Sequence, residues 1–199
     1  AALGLTLTPE ELGPAEMHEA CGAIDVLVAD EQEAINCVRL YLEYFRGAGS
    51  QLGSDPDISL LRSLVPENPR RAYDVRKVIE GVADQGSILE LRPKFARSVV
   101  TALVKVKGTP MGVLANQPMF LAGAIDSPAS DKLARFIQLC DAHDIPMLYL
   151  CDTPGLMVGP EVEATALVRH SSRILNAAIN ATTPFMTVIL RKAYGLGQY

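Results

Sequence analysis

Hydrophobic and polar positions alternate in two distinct rhythms along this chain. In "RSVVTALVKVKG", Val100, Ala102, Val104 and Val106 recur every second residue, the spacing of one face of a β-strand. "MGVLANQP" follows, and "KGTP" between the two reads as a hairpin turn. "SILELRP" predicts a short strand. "IPMLYLCD" is continuously apolar, as expected of a strand buried on both faces, and "TPFMTVIL" reads as another buried strand. A helical rhythm appears in "YDVRKVIEGVAD", where Val75, Val78, Ile79 and Val82 share a face. It recurs in "SPASDKLARFIQLCDAHD", with Leu133, Phe136, Ile137 and Cys140 inward. "GPEVEATALVRHSSRILNAAINAT" predicts one long helix, with Pro160 at its first position and Glu161 and Glu163 at its positive end.

Upstream, "TPEELGPAEMHEACG" reads as a loop with a short helical turn, and "AIDVLVA" as a strand. Asp30 and Glu33 have the spacing of a capping box ahead of "EQEAINCVRLYLEYFR", a helix carrying Ile35, Val38, Leu42 and Phe45 at helical spacing. Residues 47–72 are rich in Gly, Ser, Asp and Pro, which places a boundary between two domains within 50–70. The later part is an α/β unit of order β-β-helix-β-helix-β. A doubly wound nucleotide fold more usually begins β-α-β with a glycine-rich first turn.

Composition narrows the function classes. The chain has 199 residues, 49% hydrophobic and 21% charged, with a net charge of −5. That is ordinary globular composition, without the basic excess of a nucleic-acid binder. No window is long and apolar enough for a membrane span, and no signal peptide is evident, so a cytoplasmic protein is expected. Cys21, Cys37, Cys140 and Cys151 form no C-x-x-C pair, which favours reduced core thiols over disulfides or zinc. His18 and Cys21 lack a second ligand pair, so no metal is expected.

Three glycine- or proline-bearing turns follow three strands: Ala115–Pro118, Cys151–Pro160 and Lys192–Gln198. Ligands gather beyond the carboxyl ends of strands in open α/β sheets, so the three turns form a candidate site. In "YGLGQ", Gly195 lets the backbone turn, and the N–H groups of Leu196 and Gly197 form a candidate oxyanion pair. A plain strand-to-helix turn explains the same pattern. No G-x-S-x-G, Walker A or G-x-G-x-x-G sequence occurs. Cys140, Cys151 and His143 read as structural, His170 as a mid-helix residue, and Asp152 as either an acid–base or a turn cap. Such chemistry would rest on backbone donors and a bound cofactor.

Those stretches carry a resemblance. "VKGTPMGVLANQP", "AGAIDSPASDKLARFIQLCDAHDIPMLYLCDTPGLMVGPEVEATALVRHSSRILNAA" and "TPFMTVILRKAYGLGQ" closely resemble the carboxyltransferase subunits of biotin-dependent acyl-CoA carboxylases. The resemblance implies a crotonase-like (ClpP-like) fold used twice per full chain, with residues 1–50 ending the N-terminal half. Residues 51–68 would be a linker, and 69–199 the first part of the C-terminal half. It implies transfer of a carboxyl group from carboxybiotin to the α carbon of an acyl-CoA, with both enolates held by backbone N–H groups.

By position, Leu196 and Gly197 are the implied oxyanion donors, in the turn of Gly195; some relatives have Gly-Ala there. Asn116, Gln117, Pro118 and Gly155 would line the biotin side. Tyr199 falls where some propionyl-type relatives carry Asp, a position tied to acyl-chain preference. The implied partners are biotin carboxylase and biotin carboxyl carrier components and a homodimer or hexamer, with no nucleic acid and no membrane. The chain ends within the oxyanion turn, so it is expected to be a piece of a longer protein and inactive alone. A biotin-dependent decarboxylase subunit, a non-catalytic acyl-CoA-binding module, and a crotonase-type hydrolase or isomerase are the alternatives.

Overall fold

A computed structural model describes residues 4, 8–46, 56 and 58–195. In chain order the helices of the first part are α1 (Pro9–Leu12), α2 (Ala15–Ala20), α3 (Glu31–Glu43), α4 (Leu61–Leu64) and α5 (Val75–Glu80). The strands and helices that follow are β1 (Leu89–Leu91), β2 (Val99–Val106), β3 (Thr109–Asn116), α6 (Ser127–Ala142), β4 (Met147–Thr153), α7 (Pro160–Glu163), α8 (Leu167–Asn180) and β5 (Phe185–Ala193). The sheet runs β1-β2-β3-β4-β5 in space, antiparallel as far as β3 and parallel from β3 to β5.

The period-two pattern decides which core each residue enters. Val100, Ala102 and Val104 face Val75, Val78, Ile79 and Ala83 around α5, with Leu148 and Leu150 of β4 on the same side. Val99, Leu103, Leu114, Met147, Tyr149 and Cys151 face the other way, onto Leu133, Phe136, Ile137 and Cys140 of α6. The hairpin between β2 and β3 has a two-residue turn, with Lys107 at φ 49° and Gly108 at φ 76°. Both residues are left-handed, which matches the twist of the paired strands. The buried carboxylate of Asp84 accepts both their N–H groups, at 2.8 and 2.7 Å.

Several expectations change. "AIDVLVA" forms no strand. It meets the end of β1 at a single point, where Arg92 N donates to Asp25 O and the two side chains pair at 2.9 Å. Alternation sets up an extended segment, but a strand needs a ladder, and only that rung forms here. The long helix is two helices. Ala166 between them is left-handed (φ 59°), and Thr165 Oγ1 donates to Val162 O at 2.7 Å and contacts Ser127 Oγ at 2.6 Å. The threonine hydroxyl thus bonds backward to the chain and across to α6, where an uninterrupted helix would carry on. β5, read as buried, is the terminal strand, with Phe185, Met186, Val188 and Ile189 exposed. An apolar run is the signature of a strand covered on both sides, and among the described residues β5 pairs with β4 alone.

α3 begins as expected: Asp30 accepts from Glu33 N at 2.8 Å, while Glu33 reaches back to Ala29 N at 2.7 Å. Its packed side differs from the expected one. Tyr44 is buried, and Cys37, Leu40, Tyr41 and Phe45 lie against the α6 core, whereas Ile35, Val38 and Leu42 are exposed. Residues on both sides of the 51–68 segment therefore share one core. "TPEELGPAEMHEACG" holds two short helices, α1 and α2.

Candidate functional site

β3, β4 and β5 run parallel, so their carboxyl ends share one edge of the sheet. The three turns expected to cooperate meet there. Asn116, the last residue of β3, accepts from Asp152 N (3.2 Å) and from the Tyr149 hydroxyl (2.7 Å), and its amide donates to Gly123 O (3.0 Å). Ile125 N donates to Gly155 O, and Tyr194 N donates to Thr153 O. Thr153 Oγ1 accepts from Gly155 N at 3.0 Å, which closes the turn after β4.

Two glycines make this approach possible. Gly155 has φ 107°, and a Cβ there would lie 2.8 Å from Tyr194 O and 3.4 Å from the Cα of Gly195. Gly123 has φ 83°, and a Cβ there would run into Asp152 O and Asn116. Any larger residue at either place would push the turns apart. Gly195 itself is left-handed, at φ 63°.

The expected ligand-lining residues divide into two groups. Asn116, Gln117 and Pro118 are all buried. Gln117 donates to Asp74 Oδ1 at 2.6 Å and accepts from Val75 N, so its side chain anchors the start of α5. Both amide side chains are thus engaged inside the protein, and polar contact with a ligand from this turn falls to backbone groups. Beside them Met119 and Leu121 are exposed, and the Arg97 guanidinium lies 3.8 Å above the Phe120 ring. Gly155 and Gly195 face each other at the meeting of the second and third turns. Leu196, Gly197 and Tyr199 lie outside the described residues.

The largest feature that sequence reasoning missed is a buried charge cluster at this edge. Asp152 is fully buried and points to the α5 side. Its Oδ2 accepts from the Tyr73 hydroxyl at 2.9 Å and from Arg191 Nε at 3.1 Å. Its Oδ1 accepts from Lys192 N at 3.2 Å, with the Lys192 ammonium 3.6 Å away. Asp152 therefore closes no turn of its own; Thr153 does that. Burial, then the hydrogen bond to Asp152, pushes the Tyr73 phenol upward, so it stays a donor. One carboxylate faces two cations, leaving an excess positive charge where β5 enters the glycine turn. The only advance signal was the pair Arg191-Lys192 directly after an apolar strand, opposite an Asp at the end of the neighbouring strand.

Among the described residues no side chain at this edge reads as a nucleophile. Cys140 is buried in the α6 core, which pushes its thiol up to about 12, and burial likewise raises Cys151. His143 ends α6 and packs edge-on against Phe45, and His170 pairs with Asp131 at 2.8 Å between α8 and α6. Among the described residues no group of three or more His, Cys, Asp or Glu side chains could hold a metal ion. Among them, too, no helix is long and apolar enough to cross a membrane. What the edge offers is closely apposed backbone and positive charge.

Comparison with known proteins gives that edge a context. The family model for the carboxyl transferase domain matches residues 1–199. The propionyl-CoA carboxylase beta chain of Saccharopolyspora erythraea is 40% identical, over 94% of this chain and 37% of its own length. A solved single-chain, multi-domain long-chain acyl-CoA carboxylase superposes with a TM-score of 0.95 at 43% identity, covering 99% of this chain and 20% of that one. The transcarboxylase 12S hexamer, solved with methylmalonyl-coenzyme A and methylmalonic acid, gives a TM-score of 0.89 at 36% identity, over 98% of this chain and 39% of that one. The chain thus spans about two fifths of the curated relatives it matches. These structural neighbours are carboxyltransferases of the crotonase-like fold, and the α/β sheet described above is the same architecture.

Proposed function

This chain belongs to the carboxyl transferase domain family, and on that premise we propose that the protein containing it moves a carboxyl group between biotin and the α carbon of an acyl-CoA thioester. The carrying observation is the meeting of three glycine- or proline-bearing turns at one sheet edge, beside excess positive charge and, among the described residues, without a reactive side chain. Carboxyl transfer of this kind develops negative charge on a thioester oxygen. Backbone N–H groups held rigidly can stabilise such charge, typically by several kcal/mol. We assign that task to the N–H groups of Leu196 and Gly197, in the turn that begins at Gly195.

Carboxybiotin, when bound, supplies the carboxyl group; the protein binds, orients and excludes water. The close approach of Gly155 to Tyr194 and Gly195 brings bare backbone from two turns together at that edge. Gly155 and the backbone of the Asn116–Pro118 turn are the residues we assign to the biotin ring. We assign Tyr199 to acyl-chain preference. Residues 1–50 are read as the end of one crotonase-like half and 69–199 as the start of the second, joined by 51–68. The protein would then work with biotin carboxylase and biotin carboxyl carrier components, as a homo-oligomer.

The test uses the intact protein, free biocytin and a panel of carboxyacyl-CoAs, with release of acyl-CoA as the readout. Biocytin-dependent turnover is expected, and the preferred chain length would define the substrate. Acyl-CoA binding without turnover would instead favour a non-catalytic binding module. Turnover that ignores biocytin would favour another crotonase-type enzyme.

A further inference from the structure

Asp152 is a fully buried carboxylate that no acid–base step requires, and its partners come from three separated parts of the chain. Tyr73 precedes α5, Arg191 and Lys192 end β5, and Asn116 ends β3 and accepts Asp152's own N–H. Arg191 extends the set: its Nη1 donates to Asn68 O (3.0 Å) and Arg71 O (2.8 Å), and its guanidinium lies 5.0 Å from the Tyr73 ring centre. The Lys192 ammonium donates to Ala122 O at 2.9 Å, in a loop where Leu121, Ala122 and Gly123 are all left-handed. Residues 68–73, the 121–123 loop and the end of β5 are thus tied to one anion. Three residues beyond Arg191 the chain reaches Tyr194 and Gly195, which touch Gly155.

We propose that Asp152 is a positioning residue, which fixes the end of β5 so that the Gly195 turn sits in register against Gly155. The proposal rests on the carboxyl transfer reading for its kinetic consequence, but not for its structural one. Arg191 and Lys192 lie near the C-terminal end of β5, which among the described residues pairs with β4 alone. Bonds to a buried anion are short-ranged and directional, so their loss alters placement before it alters the distant core.

Two measurements on the intact protein separate this from a role in stability alone. In the first, Asp152→Asn, Tyr73→Phe and Asp131→Asn are compared at a temperature well below their melting points. Asp152→Asn is expected to lower kcat at least tenfold with KM for acyl-CoA within about twofold of wild type. Tyr73→Phe, which removes one bond to the same oxygen, should give a smaller fall in the same direction. Asp131→Asn, which breaks an ion pair between α6 and α8, should leave kcat unchanged. A wild-type kcat in folded Asp152→Asn would overturn the proposal. In the second, amide hydrogen exchange should quicken in Asp152→Asn at residues 191–195 while α6 keeps its protection. Unchanged exchange at 191–195 would overturn the proposal whether or not the wild-type protein turns over. A wild-type protein without turnover, together with faster exchange there, would remove the carboxyl transfer reading and leave the anchorage standing.

Discussion

Lys132 and Asp152 are both buried charges, yet their surroundings are opposite in kind. Lys132, on α6, donates to three neutral carbonyls, Arg92 O, Phe95 O and Val99 O, at 2.8–2.9 Å. It holds the loop between β1 and β2 from below. Burial draws its ammonium down to about 8. Asp152 has two cations, a phenol and a backbone N–H around it. The first arrangement ties down a loop with a charge that the interior disfavours. The second compensates its charge fully and leaves positive charge over. A buried ammonium held by neutral carbonyls suits a structural tie; a carboxylate flanked by two cations suits, on the carboxyl transfer reading, an edge where an anion is to be stabilised.

Removing each charge should expose that difference. Asp152→Ala leaves Arg191 buried without its counter-ion, which typically costs about 3–5 kcal/mol, so it is expected to give the largest fall in denaturant midpoint. Lys132→Met abandons three carbonyls but also removes a poorly solvated charge. It is expected to cost about 1–2 kcal/mol, readable in the same titration. Equal costs would mean that the counter-ions around Asp152 contribute little.

A pH series sharpens the contrast. The folded Lys132 value of about 8 lies below the ordinary 10.5, so between them the unfolded chain binds more protons than the folded one. Stability should therefore rise with pH across that interval, by about 3 kcal/mol at most. The rise is read as wild type minus Lys132→Met, which cancels the other titrating groups. A difference that is flat or falls from pH 8 to 10 would mean that Lys132 is not held against its charge.

The smallest effect belongs to a third buried charge, Asp84, which serves as a local cap. Gly108→Ala, at φ 76° in the hairpin turn that Asp84 holds, should cost about 1 kcal/mol. It should leave activity unchanged, because the turn lies at the opposite end of β3 from Asn116.

How far the sequence could be read follows from the range of each interaction. The hairpin, the inward face of α6 and the cap at Asp30 were legible because period and spacing set them within a few residues. The break at Ala166 was hidden, since it depends on Thr165 reaching Ser127 far back in the chain. The packed side of α3 turned toward Tyr41 and Tyr44 for the same reason: the Tyr44 hydroxyl donates to Ser87 O, a contact without local signature. At the site, the three turns could be placed because each follows a strand. The engagement of Gln117 by Asp74, and the ring of partners around Asp152, could not, because each joins segments some 40 to 120 residues apart.

The central claim is that backbone held in close apposition, not a reactive side chain, does the chemistry at this edge. Gly155→Ala tests it most directly in the intact protein, using biocytin-dependent release of acyl-CoA. The added methyl would press on Tyr194 O and separate the two turns. The account expects kcat to fall at least tenfold, about 1.4 kcal/mol in the barrier, while the melting point shifts by only a few degrees. A folded Gly155→Ala protein with wild-type kcat would contradict it.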